Sequence, residues 1–309
     1  MMQRGNADVQ ATPTTSEATA VPAPKHVVIV GAGPGGLLAA INLLRHNVAG
    51  APPRYTVELI EGGEDYGLLS DVGLTKKRSW MIGLAWPGLR AIRRVPKLFD
   101  DFVGQIGVEI KQVALYLGST KLISGSGAAG SDSENYLVDR NFVVAALARY
   151  LNTQFGDSPH CIKRYGTRLL FVDSDERRVY VRSTVDGSET YRPYDLLIGA
   201  DGVRSGVRAA LVANHRDFEC SVSDIFERFK SVHIDLPDGV EPNCMHALPG
   251  CLKNINGIGL VETGNRINIS MGHRCHAPCE PPLMSDQPAV VADYLRANFK
   301  AFPLPYDEL

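Results

Sequence analysis

The chain has 309 residues, 44% of them hydrophobic, which is enough for two domains with buried cores. Its 32 basic and 34 acidic residues give a net charge of −2, which argues against a nucleic-acid-binding protein. No apolar run reaches the roughly 18 residues needed to span a bilayer. Six cysteines without a secretory signal indicate reduced thiols. We therefore expect a cytoplasmic protein without a transmembrane segment.

Residues 1–24 are rich in Ala, Thr, Pro and Ser, and this composition predicts a disordered N-terminal segment. An organelle transit peptide is the alternative, and Asp8 and Glu17 disfavour it because such peptides are poor in acidic residues. The folded part of the chain is therefore expected to begin near residue 25.

The first predicted unit is a strand, a glycine-rich turn, a helix and a second strand. Residues 26–30 are nearly all apolar, as in a strand buried on both faces, and Gly31-Ala-Gly-Pro-Gly-Gly36 follows at once. Helical spacing over 37–45 and an apolar strand over 55–60 complete a βαβ unit. Such a unit predicts a parallel sheet with a right-handed crossover.

The glycine spacing in that turn is the one that dinucleotide-binding proteins use. Gly31 permits the tight turn, Gly33 lets the backbone approach a pyrophosphate, and Gly36 permits close packing of helix on sheet. Ala32 lies between the first two glycines and belongs to the same predicted cofactor site. Glu61 ends the second strand, where its carboxylate can accept hydrogen bonds from ribose hydroxyls. Because this acid disfavours a 2′-phosphate, the pattern predicts FAD or NAD rather than NADP.

The remaining elements follow from apolar periodicity and turn residues. Strands are predicted near 111–117, 161–165, 168–173, 178–184, 188–192, 194–198, 228–236, 257–262 and 266–271. Helices are predicted near 89–102, 142–151 and 288–299. Asp139 is a candidate N-cap, Asp186-Gly187 a hairpin turn, and the Gly/Ser/Asp-rich segment 124–134 a surface loop.

A second motif separates FAD from NAD. Asp195-Leu-Leu-Ile-Gly-Ala-Asp201-Gly202-Val-Arg-Ser205-Gly-Val-Arg208 resembles the Asp-Gly fingerprint of the class A FAD-dependent monooxygenases, the aromatic hydroxylase family. A plain strand-to-turn Asp-Gly pair would not explain Ser205 and Arg208 in register with it. In that family the segment lies against the FAD pyrophosphate. The resemblance therefore implies that Asp201 and Gly202 bind FAD, with NAD(P)H as the electron donor.

Two shorter segments extend the resemblance, which covers about residues 25–305. Val138-Asp-Arg140-Asn-Phe142 looks like the family segment whose arginine contacts the flavin nucleotide, and the resemblance carries that role to Arg140. Lys77-Arg78-Ser79, followed by an apolar stretch and Gly88, looks like the Arg-Ser element of the kynurenine 3-monooxygenase branch. On that likeness Arg78 lies at the cofactor edge.

These features predict an α/β fold with two domains. Residues 25–215 are predicted to form a Rossmann-like FAD-binding domain with a parallel sheet, and residues 216–309 part of an antiparallel β-sheet substrate domain. The resemblance implies a full-length enzyme that hydroxylates a small aromatic-type substrate with NAD(P)H and O₂. Related FAD-binding reductases and epoxidases share both motifs and remain an alternative, as does a truncated, non-catalytic FAD-binding protein.

One family motif is missing from the sequence. Class A members carry a Gly-Asp pair followed by Ala-Ala-His after the substrate layer, at the helix that holds the ribityl chain and the isoalloxazine. The sequence from Asp217 to Leu309 contains no Gly-Asp dipeptide. We therefore expect a site for the nucleotide half of FAD, an incomplete site for its reactive half, and no assignable catalytic residue.

Several His and Cys residues near the C-terminus invite comparison with a zinc site: His273, Cys275, His276 and Cys279, alone or with Cys244, His246 or Cys251. Their spacing matches no standard pair of Cys-x2-Cys or His-x3-His elements. Ordinary loop thiols and imidazoles are favoured, and the sequence predicts no metal.

Overall fold

A computed structural model describes residues 23–125, 135–223, 226–274, 276–300 and 302–304, without the side chains of 226 and 227. Most of the predicted disordered segment 1–24 and of the predicted loop 124–134 lies outside the described residues. The strands are β1 Lys25–Val30, β2 Tyr55–Ile60, β3 Met81–Leu84, β4 Gly107–Glu109, β5 Gln112–Leu117, β6 Thr120–Gly125, β7 Tyr136–Asp139, β8 Cys161–Arg164, β9 Thr167–Asp173, β10 Arg178–Ser183, β11 Glu189–Pro193, β12 Leu196–Gly199, β13 Phe226–Asp235, β14 Cys244–Leu252, β15 Ile255–Glu262 and β16 Arg266–Arg274. The α-helices are α1 Pro34–Leu44, α2 Asp71–Thr75, α3 Trp86–Arg93, α4 Arg140–Phe155, α5 Gly206–Asn214 and α6 Pro288–Asn298.

The glycine-rich turn belongs to a four-stranded sheet in the order β12-β1-β2-β8, in which every neighbouring pair is parallel. Val27, Val28 and Ile29 of β1 are fully buried because both faces of the sheet are covered. Helices α1 and α4 share a core cluster with one face, and β9 and β10 pack against the other. The predicted parallel sheet and the predicted α/β fold class are confirmed.

A second, six-stranded sheet has the order β13-β16-β15-β14-β5-β6 and is antiparallel except between β14 and β5. Helix α6 and the chain after it cover one face through Leu295, Phe299, Phe302 and Leu304. Strands β5 and β6 precede residue 215, so this sheet combines strands from both predicted domains. The domain boundary between residues 215 and 216 stays a prediction.

Local sequence signals explain where prediction and structure agree or differ. Asp139 caps α4 as predicted, because its Oδ1 accepts the backbone N–H groups of Asn141 at 2.7 Å and Phe142 at 3.4 Å. The single helix predicted near 89–102 is wrong. Helix α3 ends at Arg93, and a separate π-helical turn follows at 99–103. Pro96 lacks a backbone N–H and Lys97 takes a φ of 63°, so the helix cannot continue.

Two elements have weak signals in the sequence. Helix α5 spans nine residues, of which one, Val207, is buried, so its packed face is short. Strand β14 contains Pro249 and Gly250, which read as a turn and produce a shift in its register with β15.

In the described ranges, no helix is both long enough and apolar enough to cross a lipid bilayer.

Candidate cofactor-binding site

Two glycines of the first turn are required by the fold itself. Gly31 has a φ of +102°, and a Cβ there would lie 2.3 Å from the carbonyl oxygen of Ala200. A Cβ at Gly36 would lie 1.9 Å from the carbonyl oxygen of Gly31. Because backbone atoms cannot move aside cheaply, a side chain at Gly31 would push the turn away from the end of β12, and one at Gly36 would push α1 away from the turn.

Gly33 differs from both of them. Its φ is −71°, an ordinary value for any residue, and a Cβ there would meet nothing within 4 Å. It stands at the N-terminus of α1, where the first turn of a helix has backbone N–H groups without intrahelical partners. The space in front of Gly33 is therefore left open by the fold, at the end of a helix that attracts anions.

That space belongs to a cleft of about 780 Å³ at the carboxyl ends of β1, β2 and β12. Six predicted site residues line it: Gly31, Gly33, Glu61, Arg140, Asp201 and Gly202. An adjoining pocket of about 130 Å³ adds Ala32, and Gly36 lies behind the turn. The structure thus brings together residues that are up to 171 positions apart in the sequence (31 to 202).

The Glu61 carboxylate is held in place by backbone donors. Its Oε2 accepts the N–H of Ala32 and its Oε1 the N–H of Gly63, each at 2.8 Å. Each carboxylate oxygen can accept more than one hydrogen bond, so Glu61 still has acceptor capacity facing the cleft. This geometry suits the predicted contact with ribose hydroxyls. The N–H of Ala32 already donates to Glu61 and is therefore not free to donate to the cofactor.

The Asp-Gly fingerprint stabilises its own turn. Asp201 accepts the Ser205 hydroxyl at 2.5 Å and the Gly206 N–H at 2.7 Å, and the Ser205 hydroxyl accepts the Arg208 N–H at 2.9 Å. The Arg208 guanidinium donates to the carbonyls of Gly202 and Val203. These contacts fix the start of α5 against the end of β12. They give Ser205 and Arg208 a structural role in shaping the cleft.

Three arginines supply positive charge to the cleft: Arg140, Arg168 and Arg204. Within the described ranges, none of their guanidinium groups forms a hydrogen bond or an ion pair; Arg140 lies 5.1 Å from the centre of the Trp80 ring. The acids beside them, Glu61 and Asp201, already accept backbone N–H groups. The unpaired positive charge of the cleft is therefore available to a ligand.

Arg168 and Arg204 were missed by the sequence analysis. Arg204 lies inside the Asp-Gly fingerprint, but the resemblance to the family implies no cofactor contact for it. Arg168 reaches the cleft because the Thr167 N–H donates to the Glu61 carbonyl at 2.8 Å, which places β9 across the end of β2. Its side chain lies over Gly62, where a Cβ would be 2.8 Å from the Arg168 Cγ. Only the pairing of distant strands reveals this contact.

Arg78, the remaining predicted site residue, is exposed and lines neither the cleft nor the adjoining pocket. Its segment is nevertheless tied to the start of α4. The Asn141 Nδ2 donates to the carbonyl of Arg78 at 3.4 Å, and the Ser79 hydroxyl donates to Asp139 at 2.8 Å. A role for Arg78 at the cofactor edge stays a prediction.

A further cavity of about 360 Å³ lies between the start of α4 and the six-stranded sheet. Ser79 and Asp139 line one side, and His233, Glu262 and Arg266 line the other. The His233 Nδ1 lies 2.5 Å from the Glu262 Oε1, and this hydrogen bond raises the pKa of His233 against the opposing effect of burial. Asp139 and Arg140 are consecutive, so this cavity and the cleft both reach the N-terminus of α4.

Comparisons with known proteins identify the fold. No protein-family model and no curated protein sequence matches the chain. Among solved structures, the chain resembles PqsL of Pseudomonas aeruginosa, which is described as a probable FAD-dependent monooxygenase. The TM-score is 0.58 at 16% sequence identity, and the match covers 81% of this chain and 60% of that one. The fold is that of the flavin-dependent monooxygenases.

Two further structures agree with this likeness. The flavin-dependent monooxygenase PieE, in complex with FAD and substrate, matches with a TM-score of 0.63 and 18% identity, over 89% of this chain and 47% of that one. A variant of HpxO from Klebsiella pneumoniae, complexed with FAD, matches with a TM-score of 0.57 and 16% identity. The match covers 92% of this chain and 65% of that one. The chain thus spans between about half and two thirds of the length of these proteins. The kynurenine 3-monooxygenase branch stays a prediction.

Proposed function

We propose that this chain binds the nucleotide half of FAD and is the cofactor-binding part of an FAD-dependent monooxygenase. The cleft at the carboxyl ends of the parallel strands carries the proposal. It combines an open position at Gly33, an oriented carboxylate at Glu61 and three guanidinium groups that form no hydrogen bond or ion pair with any described residue. A pyrophosphate carries two negative charges, which the α1 N-terminus and the guanidinium groups offset. The Glu61 carboxylate remains beside them to accept hydrogen bonds from a ribose.

Each part of the cleft would hold a different part of the cofactor. The α1 N-terminus at Gly33 and the arginines Arg140 and Arg204 would bind the pyrophosphate. Glu61 would accept the ribose hydroxyls at the end of β2, with Arg168 beside it. When bound and reduced, FAD supplies a flavin that activates O₂ for transfer of a hydroxyl group to an electron-rich ring, with NAD(P)H as the source of electrons.

The cavity beside α4 would hold the small aromatic-type substrate. Met81, Ile106 and Phe142 offer apolar contacts to a ring, and Ser79 and His233 offer polar ones. His233 is kept in position by Glu262 and can hold or release a proton next to the substrate. The surrounding sheet and helix shield one side of this cavity from water, which hydroxylation chemistry requires.

Titration of the chain with FAD, followed by quenching of flavin fluorescence, tests the cofactor site. We expect Gly33→Val to weaken FAD binding by roughly 100-fold, because the new side chain would occupy the pyrophosphate position. Gly83→Val is the matched control, since a Cβ at Gly83 also meets nothing within 4 Å and Gly83 lies outside the cleft. Equal FAD affinity of the two variants would contradict the assigned site, and absence of FAD binding by the parent chain would contradict the function.

NADH and NADPH oxidation by the FAD-loaded chain separates the remaining functions. Oxidation that is stimulated by an aromatic compound, with formation of its hydroxylated product, supports a monooxygenase. Oxidation with reduction of the organic compound instead supports the reductase alternative. Stoichiometric FAD without oxidation of either nucleotide supports the non-catalytic FAD-binding alternative.

A further inference from the structure

A cluster of three potential metal ligands lies at the start of β14, remote in sequence from the cofactor turn. The side chains of Glu241, Cys244 and His246 each place one ligand atom within 4.8 Å of the other two. Cys244 and His246 are fully buried, and Glu241 is half-buried. They lie on the six-stranded sheet, on the face that Phe302 covers, with its ring 5.5 Å from that of His246. The proposed function assigns no role to them.

The two ring nitrogens of His246 differ in their hydrogen bonding. Its Nδ1 lies 3.1 Å from the Tyr116 hydroxyl, whereas its Nε2 is buried and has no hydrogen-bond partner among the described residues. A buried polar atom without a partner costs about 1–3 kcal/mol, so a histidine of an ordinary core normally has both nitrogens satisfied. In metal sites, one ring nitrogen is fixed by a hydrogen bond so that the other can face the metal.

The other two ligands are also available, with one competitor. Among the described residues, the Cys244 thiol contacts backbone groups alone: the Met245 carbonyl at 3.6 Å and the backbone of Ala114. The Glu241 carboxylate is held by the Lys121 ammonium, at 2.7 and 2.6 Å from its two oxygens. Lys121 lies on the edge strand β6 and is about a quarter exposed (27%), so it can turn to solvent and release the carboxylate. A cation already neutralises Glu241, and a divalent ion would take its place.

We propose that Glu241, Cys244 and His246 form a binding site for a thiophilic divalent cation of the zinc type. Thiolate, imidazole and carboxylate are the ligand set that Zn²⁺ prefers, and three protein ligands leave a fourth position for water. On binding, the metal–sulfur bond replaces the S–H bond of Cys244, and one proton passes to solvent. The Glu-x2-Cys-x-His spacing belongs to no standard ligand pair, which explains why the sequence predicts no metal.

Titration of the full chain with Co²⁺, in the reduced state and without chelators, tests this site directly. We expect one equivalent of Co²⁺ to produce a thiolate-to-cobalt charge-transfer absorption and to release one proton. Cys244→Ser should abolish this absorption, whereas Cys251→Ser, a thiol of the same strand outside the cluster, should preserve it. His246→Gln should weaken Co²⁺ binding by at least about tenfold.

Lys121→Gln provides an independent arm, because it removes the competing cation without removing a ligand. We expect this variant to bind Co²⁺ more tightly than the parent chain. Absence of the charge-transfer absorption in the parent chain and in Lys121→Gln would overturn the proposal. Its persistence in Cys244→Ser would also overturn it, by assigning the absorption to another thiol. None of these outcomes depends on FAD, so the metal site and the proposed function are tested separately.

Discussion

Single residues of the glycine-rich turn carry the separate tasks that the sequence motif predicts for them. At Gly31 and Gly36 a side chain would meet backbone atoms, whereas at Gly33 it would enter open space. Glycine is therefore needed at the first two positions for the fold to form, and at the third position to keep the cleft open. The pattern of glycines predicted the three positions and their tasks, and the contacts between β1, α1 and β12 show which backbone atoms a side chain would meet.

Replacing Gly36 tests this division of tasks. We expect Gly36→Ala to lower the free energy of unfolding by about 1–3 kcal/mol, because its Cβ would overlap the Gly31 carbonyl oxygen. Gly33→Ala should leave this free energy almost unchanged while weakening FAD binding. Urea unfolding, followed by far-UV circular dichroism, measures the first effect. Equal stability of the two variants would contradict the structural role of Gly36.

Arg168 is a further test at this scale, because nothing in the local sequence marks it. We expect Arg168→Ala to weaken FAD binding by roughly 10- to 100-fold, as a charged contact is lost next to the ribose. Arg182→Ala is the matched control, since Arg182 pairs with Arg168 across strands β9 and β10 but forms an ion pair with Glu189 instead. If the two alanine variants bind FAD equally well, Arg168 has no role in the site.

Between elements, the ion pair of His233 on β13 and Glu262 on β15 connects two strands of the six-stranded sheet. Strand β16 lies between them, and the Asn268 Nδ2 on that strand lies 3.1 Å from the His233 Nε2. The hydrogen bond from Glu262 raises the pKa of His233 above 6.5, with a smaller contribution from Asp139 in the same direction. The protonated imidazole therefore stabilises the folded chain.

The sign of this effect predicts its pH dependence. Because the pKa of His233 is raised in the folded state, its stabilisation is fully present below pH 6.5 and is lost as the pH rises through the raised pKa. Glu262→Gln should therefore lower the free energy of unfolding by roughly 0.5–1 kcal/mol in mild acid and by less at alkaline pH. Urea unfolding at both pH values checks this. An equal effect at both would contradict it, and the exposed Glu219→Gln serves as the control.

Across the whole molecule, the two sheets are joined by the chain more closely than the predicted domain boundary implies. Strand β5 pairs in parallel with β14, with Ala114 opposite His246. Ala114 and Tyr116 are buried in the core cluster that α6 completes. A chain cut at residue 215 would leave these apolar residues without their partners.

We therefore expect residues 25–215 alone to bind hydrophobic dyes and to unfold at lower urea concentration than the full chain. Replacing residues 111–134 of that fragment by a short turn should restore cooperative unfolding. The turn would join β4 directly to β7, which are antiparallel neighbours with Glu109 opposite Tyr136. Native-like stability of the uncut 25–215 fragment would contradict this expectation.

By itself, the sequence determined the first βαβ unit, the glycine turn with Glu61, the helix that Asp139 caps and most strands of both sheets. These features depend on apolar periodicity and on turn and capping residues, which act over a few neighbouring positions. Tertiary structure alone decided that Arg168 reaches the cofactor cleft and that β5 and β6 join the later strands. Each of these contacts depends on which distant strands pair and in which register, and no local pattern of residues encodes that choice.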